Sequence, residues 1–238
     1  MPRPPGRPHA EALLGRPLVS SRRTHRGSGV ALAVPRLLIV ADLDTAGSEA
    51  RWLALLCELA EGLRGAPGVA LQVRAKGRPA HDVARLAQAA RTAAAAGPPL
   101  ILNGPAELAR SLGYEGVHWP EAEVPSSLPV AAEPLLRSAA AHSLDAVRRA
   151  SAVAHYAVFG PVFPPRSKGG AAAGLSALRA ICAASPLPVV AIGGIDAATL
   201  GSCIASGAAG IAVVSAVVRA ERPAEAAIAL LRALDAAP

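Results

Sequence analysis

Apolar residues in this chain fall into short runs, and between the runs they recur at helical spacing. Leu37-Leu38-Ile39-Val40-Ala41 is the first run, stopping at Asp42 and Asp44. Val69 to Arg74, Leu100 to Asn103, Gly116 to Trp119, Leu135 to Ser138 and Tyr156 to Phe159 follow. Pro188 to Ile195 and Gly210 to Ala216 close the series. The intervening patterns predict helices over about 48–64, 80–96, 105–112, 143–152 and 175–184, another beginning near Asp196, and a last one over about 224–234. The Pro-rich stretch 120–134 breaks the rhythm and has room for a rudimentary helix only.

The runs are continuous rather than alternating, as strands buried on both faces of a parallel sheet are. Eight strands alternating with helices over about 200 residues close most simply as a (β/α)8 barrel, with a doubly wound open sheet as the alternative. In a barrel the chemistry belongs at the C-terminal ends of the strands. Polar residues fall there: Asp42, Arg74, Lys76, Asn103, His118, His142, Ser167, Lys168 and Ser215. The last two runs meet small residues, Gly193-Gly194 and Val214-Ser215. Loops in that place often hold a phosphate on backbone N–H groups, and glycine lets the backbone come close.

Composition narrows the function. Of 238 residues 52% are hydrophobic but only 3% aromatic, which suits helices around an aliphatic sheet and not a surface that stacks bases. The net charge of +7 is concentrated in residues 1–34, where Arg3, Arg7, Arg16, Arg22, Arg23 and Arg26 face Glu11 alone. The basic pI is therefore weak evidence for nucleic acid. Residues 1–34 are also rich in Pro and Gly, so a disordered basic extension is expected there, with the barrel over 35–238. This stretch lacks the continuous apolar core of a secretory signal. An organellar transit peptide shares its Arg-rich, acid-poor character, but a solvated extension, or a start codon placed too early, accounts for it better. Cys57, Cys182 and Cys203 lie far apart without a C-x-x-C, which suits reduced thiols in a cytoplasmic protein rather than zinc or disulfides. No membrane span or nucleic-acid partner is expected.

Several segments, in order, resemble the thiamine phosphate synthase/TenI family of TIM barrels. Gln72-Val73-Arg74-Ala75-Lys76 resembles its Gln-Leu-Arg-Glu-Lys, Leu100 to Asn103 the start of its Ile-Ile-Asn-Asp-Arg, and Gly116-Val117-His118 its Gly-Val-His-Leu. His142-Ser143 resembles the end of its Ser-x-His-Ser. Phe159-Gly160-Pro161-Val162-Phe163 matches its Phe-Gly-Pro-Val-Phe, and Ser167-Lys168 the end of its Thr-x-Thr-Lys. Val189 to Ile195 and Gly210 to Ser215 match its two phosphate-binding strands, so the likeness spans about residues 36–235.

The resemblance implies phosphorylated thiazole and pyrimidine substrates and leaves a homo-oligomer open. It implies binding roles for Gln72, Arg74, Lys76, Asn103, Ser167, Lys168, Gly193, Gly194, Val214 and Ser215, with Arg166 as a further cation. A synthase of this family joins a pyrimidine pyrophosphate to a thiazole phosphate and needs Mg2+ on carboxylates. Here the Asp after Asn is Gly104, the next Arg is Pro105, the Glu of Arg-Glu-Lys is Ala75, and the Ser two residues before the His is Ala140. The second Asp aligns with Glu123, and Glu121 or Asp42 is the other carboxylate that could serve. TenI relatives include enzymes that isomerise the thiazole phosphate without a metal, and proton transfer there is credited to the residue matched by His142. Three readings stay open: a TenI-like tautomerase with His142 as acid/base, which the lost carboxylates favour; a synthase with a rearranged Mg2+ site; and a non-catalytic barrel that binds a phosphorylated ligand.

Overall fold

A computed structural model of the chain describes residues 33–164 and 172–237. Eight strands, β1 (Leu37–Asp42), β2 (Val69–Arg74), β3 (Leu100–Asn103), β4 (Gly116–Trp119), β5 (Leu136–Ala141), β6 (Tyr156–Phe159), β7 (Val189–Ile192) and β8 (Gly210–Val213), pair in sequence order. All neighbours are parallel, and β8 returns to β1 through Leu37↔Ile211, Leu38↔Ala212 and Ile39↔Val213. The barrel expected from the sequence is the observed fold, with no free sheet edge. The expected extension, 1–34, lies outside the described residues except at its last two positions.

Strand pleating sorts the side chains into two cores. Leu38, Val40, Ala70, Ile101, Leu136, Tyr156, Val158, Val190 and Ala212 pack together inside the barrel. Their chain neighbours, including Leu37, Ile39, Leu71, Leu100, Leu102, Val117, Phe159 and Ile211, pack outward with the helices. Burial on both faces is why the strands read as unbroken apolar runs.

The helical layer comprises α1 (Leu43–Ala46), α2 (Glu49–Gly62), α3 (Ala80–Ala93), α4 (Ala106–Ser111), α5 (Leu144–Ala150), α6 (Gly174–Ala184), α7 (Leu200–Ala205), α8 (Ser215–Val218) and α9 (Pro223–Asp235). Trp52 on α2 donates its indole N–H to the Ala41 carbonyl at 2.9 Å, tying that helix to the end of β1. Most boundaries match the sequence pattern, and the exceptions have local causes. A short α1 precedes the first expected helix because the Asp42 carboxylate accepts from the Thr45 N–H and caps the turn. The helix expected near Asp196 starts at Leu200, since Asp196 Oδ1 instead accepts from Ala198 N and Thr199 N at 3.0 and 3.1 Å. The apolar run through Ala216 leaves the sheet after Val213 and turns into α8. The Pro-rich segment holds two 3-10 turns, Glu121–Glu123 and Val130–Ala132.

β5 runs three residues past its expected end because Ala139, Ala140 and Ala141 pair in register with Ala157, Val158 and Phe159 of β6, while Arg137 anchors the opposite end of the strand. Arg137 lies on the outer face of the strand and is only 8% exposed. Its Nε donates to Val153 O at 2.7 Å, and its Nη1 reaches the carbonyls of Ala132, Glu133 and Leu135 at 3.1, 2.9 and 3.2 Å. Its Nη2 lies 2.6 Å from His155 Nε2. One guanidinium thus satisfies the loops on both sides of the strand; burial lowers its pKa, opposed by the charge of Glu133. Arg137→Met should leave these carbonyls without a donor and cost roughly 2–4 kcal/mol. Arg137→Lys, with a single ammonium, should fall between Met and the wild type. Thermal unfolding checks this at about 2–4 °C per kcal/mol for a domain of this size.

Candidate active site

The inward-facing row of each strand, followed to its C-terminal end, opens into a cavity of about 450 Å³. Its walls carry Asp42 at the end of β1 and Thr45 on α1, Gln72, Arg74 and Lys76 on and after β2, Asn103 on β3, His118 on β4 and Glu121 beyond it. Ala140 and His142 come from the end of β5, Gly160 follows β6, and Ile192 and Val214 complete the rim. The spacing of two between Gln72, Arg74 and Lys76, or Ala140 and His142, is the pleat continued past the hydrophobic layer.

Asp42 is buried and fully engaged. It forms an ion pair with Arg74, and its Oδ2 accepts from Thr45 N and Thr45 Oγ1 at 3.1 and 2.7 Å. Arg74 is thereby held at the cavity wall with its charge largely matched. Among the described residues Lys76, exposed at the mouth, makes no ion pair. Gln72 is only 2% exposed, and its side-chain oxygen has no partner among the described residues. His118 pairs in register with Asn103 and Ser138, and its Nδ1 lies 2.9 Å from Ser138 Oγ. Burial, and secondarily the nearby Arg74, pushes the His118 pKa down to about 4, so its imidazole is neutral at ordinary pH.

His142 faces the cavity mouth and is the more solvated histidine. Glu121 Oε2 accepts from the His142 backbone N–H at 2.9 Å and lies 2.6 Å from its Nδ1. The other oxygen, Oε1, lies 3.4 Å from Arg149 Nη2 on α5. Glu123, which the resemblance aligns with the family's second Asp as one of three carboxylates that could serve a metal, is exposed and does not line the cavity.

Of the residues expected at the closing phosphate site, Val214 lines the cavity, Gly193 and Ser215 directly follow lining positions, and Gly194 is one residue further on. Gly193 and Gly194 have φ of +100° and +64°. A Cβ at Gly193 would come within 2.6 Å of Pro161 Cα, and one at Gly194 within 2.6 Å of Phe163 Cβ. The Gly-Gly pair is therefore dictated by left-handed backbone and by contact with the loop after β6. Val162 N and Phe163 N clamp that loop by donating to Ile192 O and Gly193 O at 2.8 and 3.0 Å. Ser167 and Lys168, with Arg166, lie outside the described residues. The residues sequence reasoning did not assemble are Thr45 and the Glu121–His142 and Asp42–Arg74 pairs. Their partners are 21 and 32 positions apart, and no local pattern announces such contacts.

Fold and site together define a TIM-barrel enzyme whose polar residues converge at the C-terminal mouth. The family model described as thiamine monophosphate synthase matches residues 43–217, and the chain belongs to that family. A thiamine-phosphate synthase of Roseiflexus sp. (strain RS-1) is 35% identical over 204 residues, covering 83% of this chain and 84% of the relative. One from Chlorobium luteolum is 35% identical over 211 residues, covering 84% and 93%. A solved thiamine phosphate pyrophosphorylase from Pyrococcus furiosus superposes with a TM-score of 0.69 at 26% identity, covering 85% of this chain and 96% of its own. Among the described residues no helix is long and apolar enough to cross a membrane.

The donor set does not fit the Mg2+ implied by the synthase activity. That ion takes oxygen ligands, usually one or two carboxylates with substrate phosphates. Gly104 offers no side-chain oxygen, Asp42 is committed to Arg74 and Thr45, and Glu121 is committed to His142 and Arg149. Among the described residues no three metal-ligating side chains cluster.

His118 also makes a stability prediction. Its pKa is lowered in the fold, so on acidification the unfolded chain takes up a proton first. From about pH 6.5 down to about 4, stability should therefore fall by up to about 1.4 kcal/mol per pH unit, and it should be complete above that window. Urea unfolding at pH 7 and pH 5 should show a weaker acid dependence for His118→Gln than for the wild type. Equal dependences would contradict a buried neutral imidazole.

Proposed function

We propose that this enzyme transfers a proton on a thiazole phosphate without a metal, as a tautomerase of the TenI type. The observation that carries this reading is His142 at the cavity mouth, held on Nδ1 by Glu121, with no uncommitted carboxylate pair lining the cavity among the described residues. Imidazole titrates near neutrality and can both take and return a proton. In the step proposed, His142 takes a proton from one carbon of the unaromatised ring. The ring electrons shift, and the proton returns at the other end of the new double bond, so the formula is unchanged. Lys76 and Arg74 supply positive charge for the phosphate, with Ser167 and Lys168 as further contacts. Backbone N–H groups at Gly193 and Gly194, and the group at Val214–Ser215, form the cradle. Gln72 and Asn103 contact the ring from below. In this reading residues 35–238 are the catalytic unit and 1–34 an appended segment.

The names of the relatives favour a second reading, a thiamine phosphate synthase coupling the pyrimidine pyrophosphate to the thiazole phosphate. It would require Asp42 or Glu121 to leave its present partners, or Glu123 to turn inward. Two arms separate the readings. The unaromatised thiazole phosphate, with a known synthase as reporter, should be consumed faster when this protein is added, with or without a chelator. His142→Ala should lower that rate by roughly 10²–10⁴-fold while thiazole phosphate binds within about threefold of the wild type. Magnesium-dependent thiamine phosphate formation by this protein alone would favour the synthase. Binding with silence in both arms would leave a non-catalytic barrel.

A further inference from the structure

We infer that Glu121 is the positioning residue for His142: it dictates which ring nitrogen carries the proton and leaves Nε2 as the working base. This inference rests on the proton-transfer reading above. A carboxylate has no hydrogen to donate, so the 2.6 Å contact between Glu121 Oε2 and His142 Nδ1 requires the proton on Nδ1. A neutral imidazole then has its lone pair on Nε2. Among the described residues no side chain bonds Nε2. An exposed histidine left to water has nothing to select that tautomer, and the selection here comes from one side chain.

The attachment is two-point. The same Oε2 accepts from the His142 backbone N–H at 2.9 Å, so the carboxylate holds both the ring and the main chain at the end of β5. Glu121 opens the 3-10 turn Glu121–Glu123 just beyond β4, and this contact bridges the ends of two adjacent strands across the cavity rim. Arg149 holds the other oxygen at 3.4 Å. It thereby restrains the carboxylate from the side opposite the imidazole. The contact is solvated, so Arg149 contributes less than Glu121 does.

The arrangement predicts a spectroscopic signature that a merely structural side chain would not produce. Long-range 1H–15N spectra of uniformly labelled wild-type protein, with the His142 signals assigned by their loss in His142→Ala, should show a protonated Nδ1 and an unprotonated Nε2. In Glu121→Ala the His142 tautomer should move toward protonated Nε2. Turnover in the reporter assay should fall by roughly 10–100-fold, with inorganic phosphate and thiazole phosphate bound as by the wild type. The wild-type tautomer is read without Glu121→Ala, so it is decided even if that variant folds poorly. Protonated Nε2 in the wild type would overturn the proposal. So would full turnover in Glu121→Ala under conditions where His142→Ala is inactive. Full turnover in His142→Ala would instead sink the proton-transfer reading, while the spectrum still decided the pairing.

Discussion

Closure of the sheet is the constraint on which the rest of the structure depends. Once β8 registers on β1, every strand must send alternate side chains into a lumen that side chains fill completely. Leu38, Ala70, Ile101, Tyr156, Val190 and Ala212 fill it. The same alternation, carried a residue or two past this plug, delivers Asp42, Gln72, Arg74, Asn103, His118 and His142 to one cavity. The site is the polar top layer of the hydrophobic core, and it is rigid because the layer beneath it is full.

Charge in the site is organised by pairing. Asp42 with Arg74, and Glu121 with Arg149, each match a carboxylate to a cation, and Glu121 also holds the His142 ring. Such partners cost little in a partly solvated pocket, but they occupy the oxygens that a hard cation would need. In the proton-transfer reading proposed above, the acids orient side chains, whereas a synthase would need them open to hold a pyrophosphate through a metal.

Much of this was legible in the chain. The eight strands and the helices between them follow from runs and periods that only near neighbours create. Gly193 and Gly194 also announce themselves, because left-handed backbone in close contact admits no other residue. Two misplaced boundaries came from side chains competing for backbone groups, at Asp42 and Asp196, and the end of β5 was set by its pairing with β6. Their identity was visible but their partners were not. Glu123 is the instructive case in the site: the resemblance aligned it with one family carboxylate among several that could serve a metal, and in the fold it is exposed while Glu121, two residues before it, lines the cavity.

By itself the sequence determined the barrel and its family, because strand and helix patterns and ordered short motifs are local properties that survive without knowing any long-range contact. Only the tertiary structure decided how the charges are spent. Whether Glu121 reaches His142 or a metal, and whether Arg74 is free or matched, depends on ångström distances between ends of different strands. Those distances are set by barrel closure and register, to which no window of neighbouring residues has access.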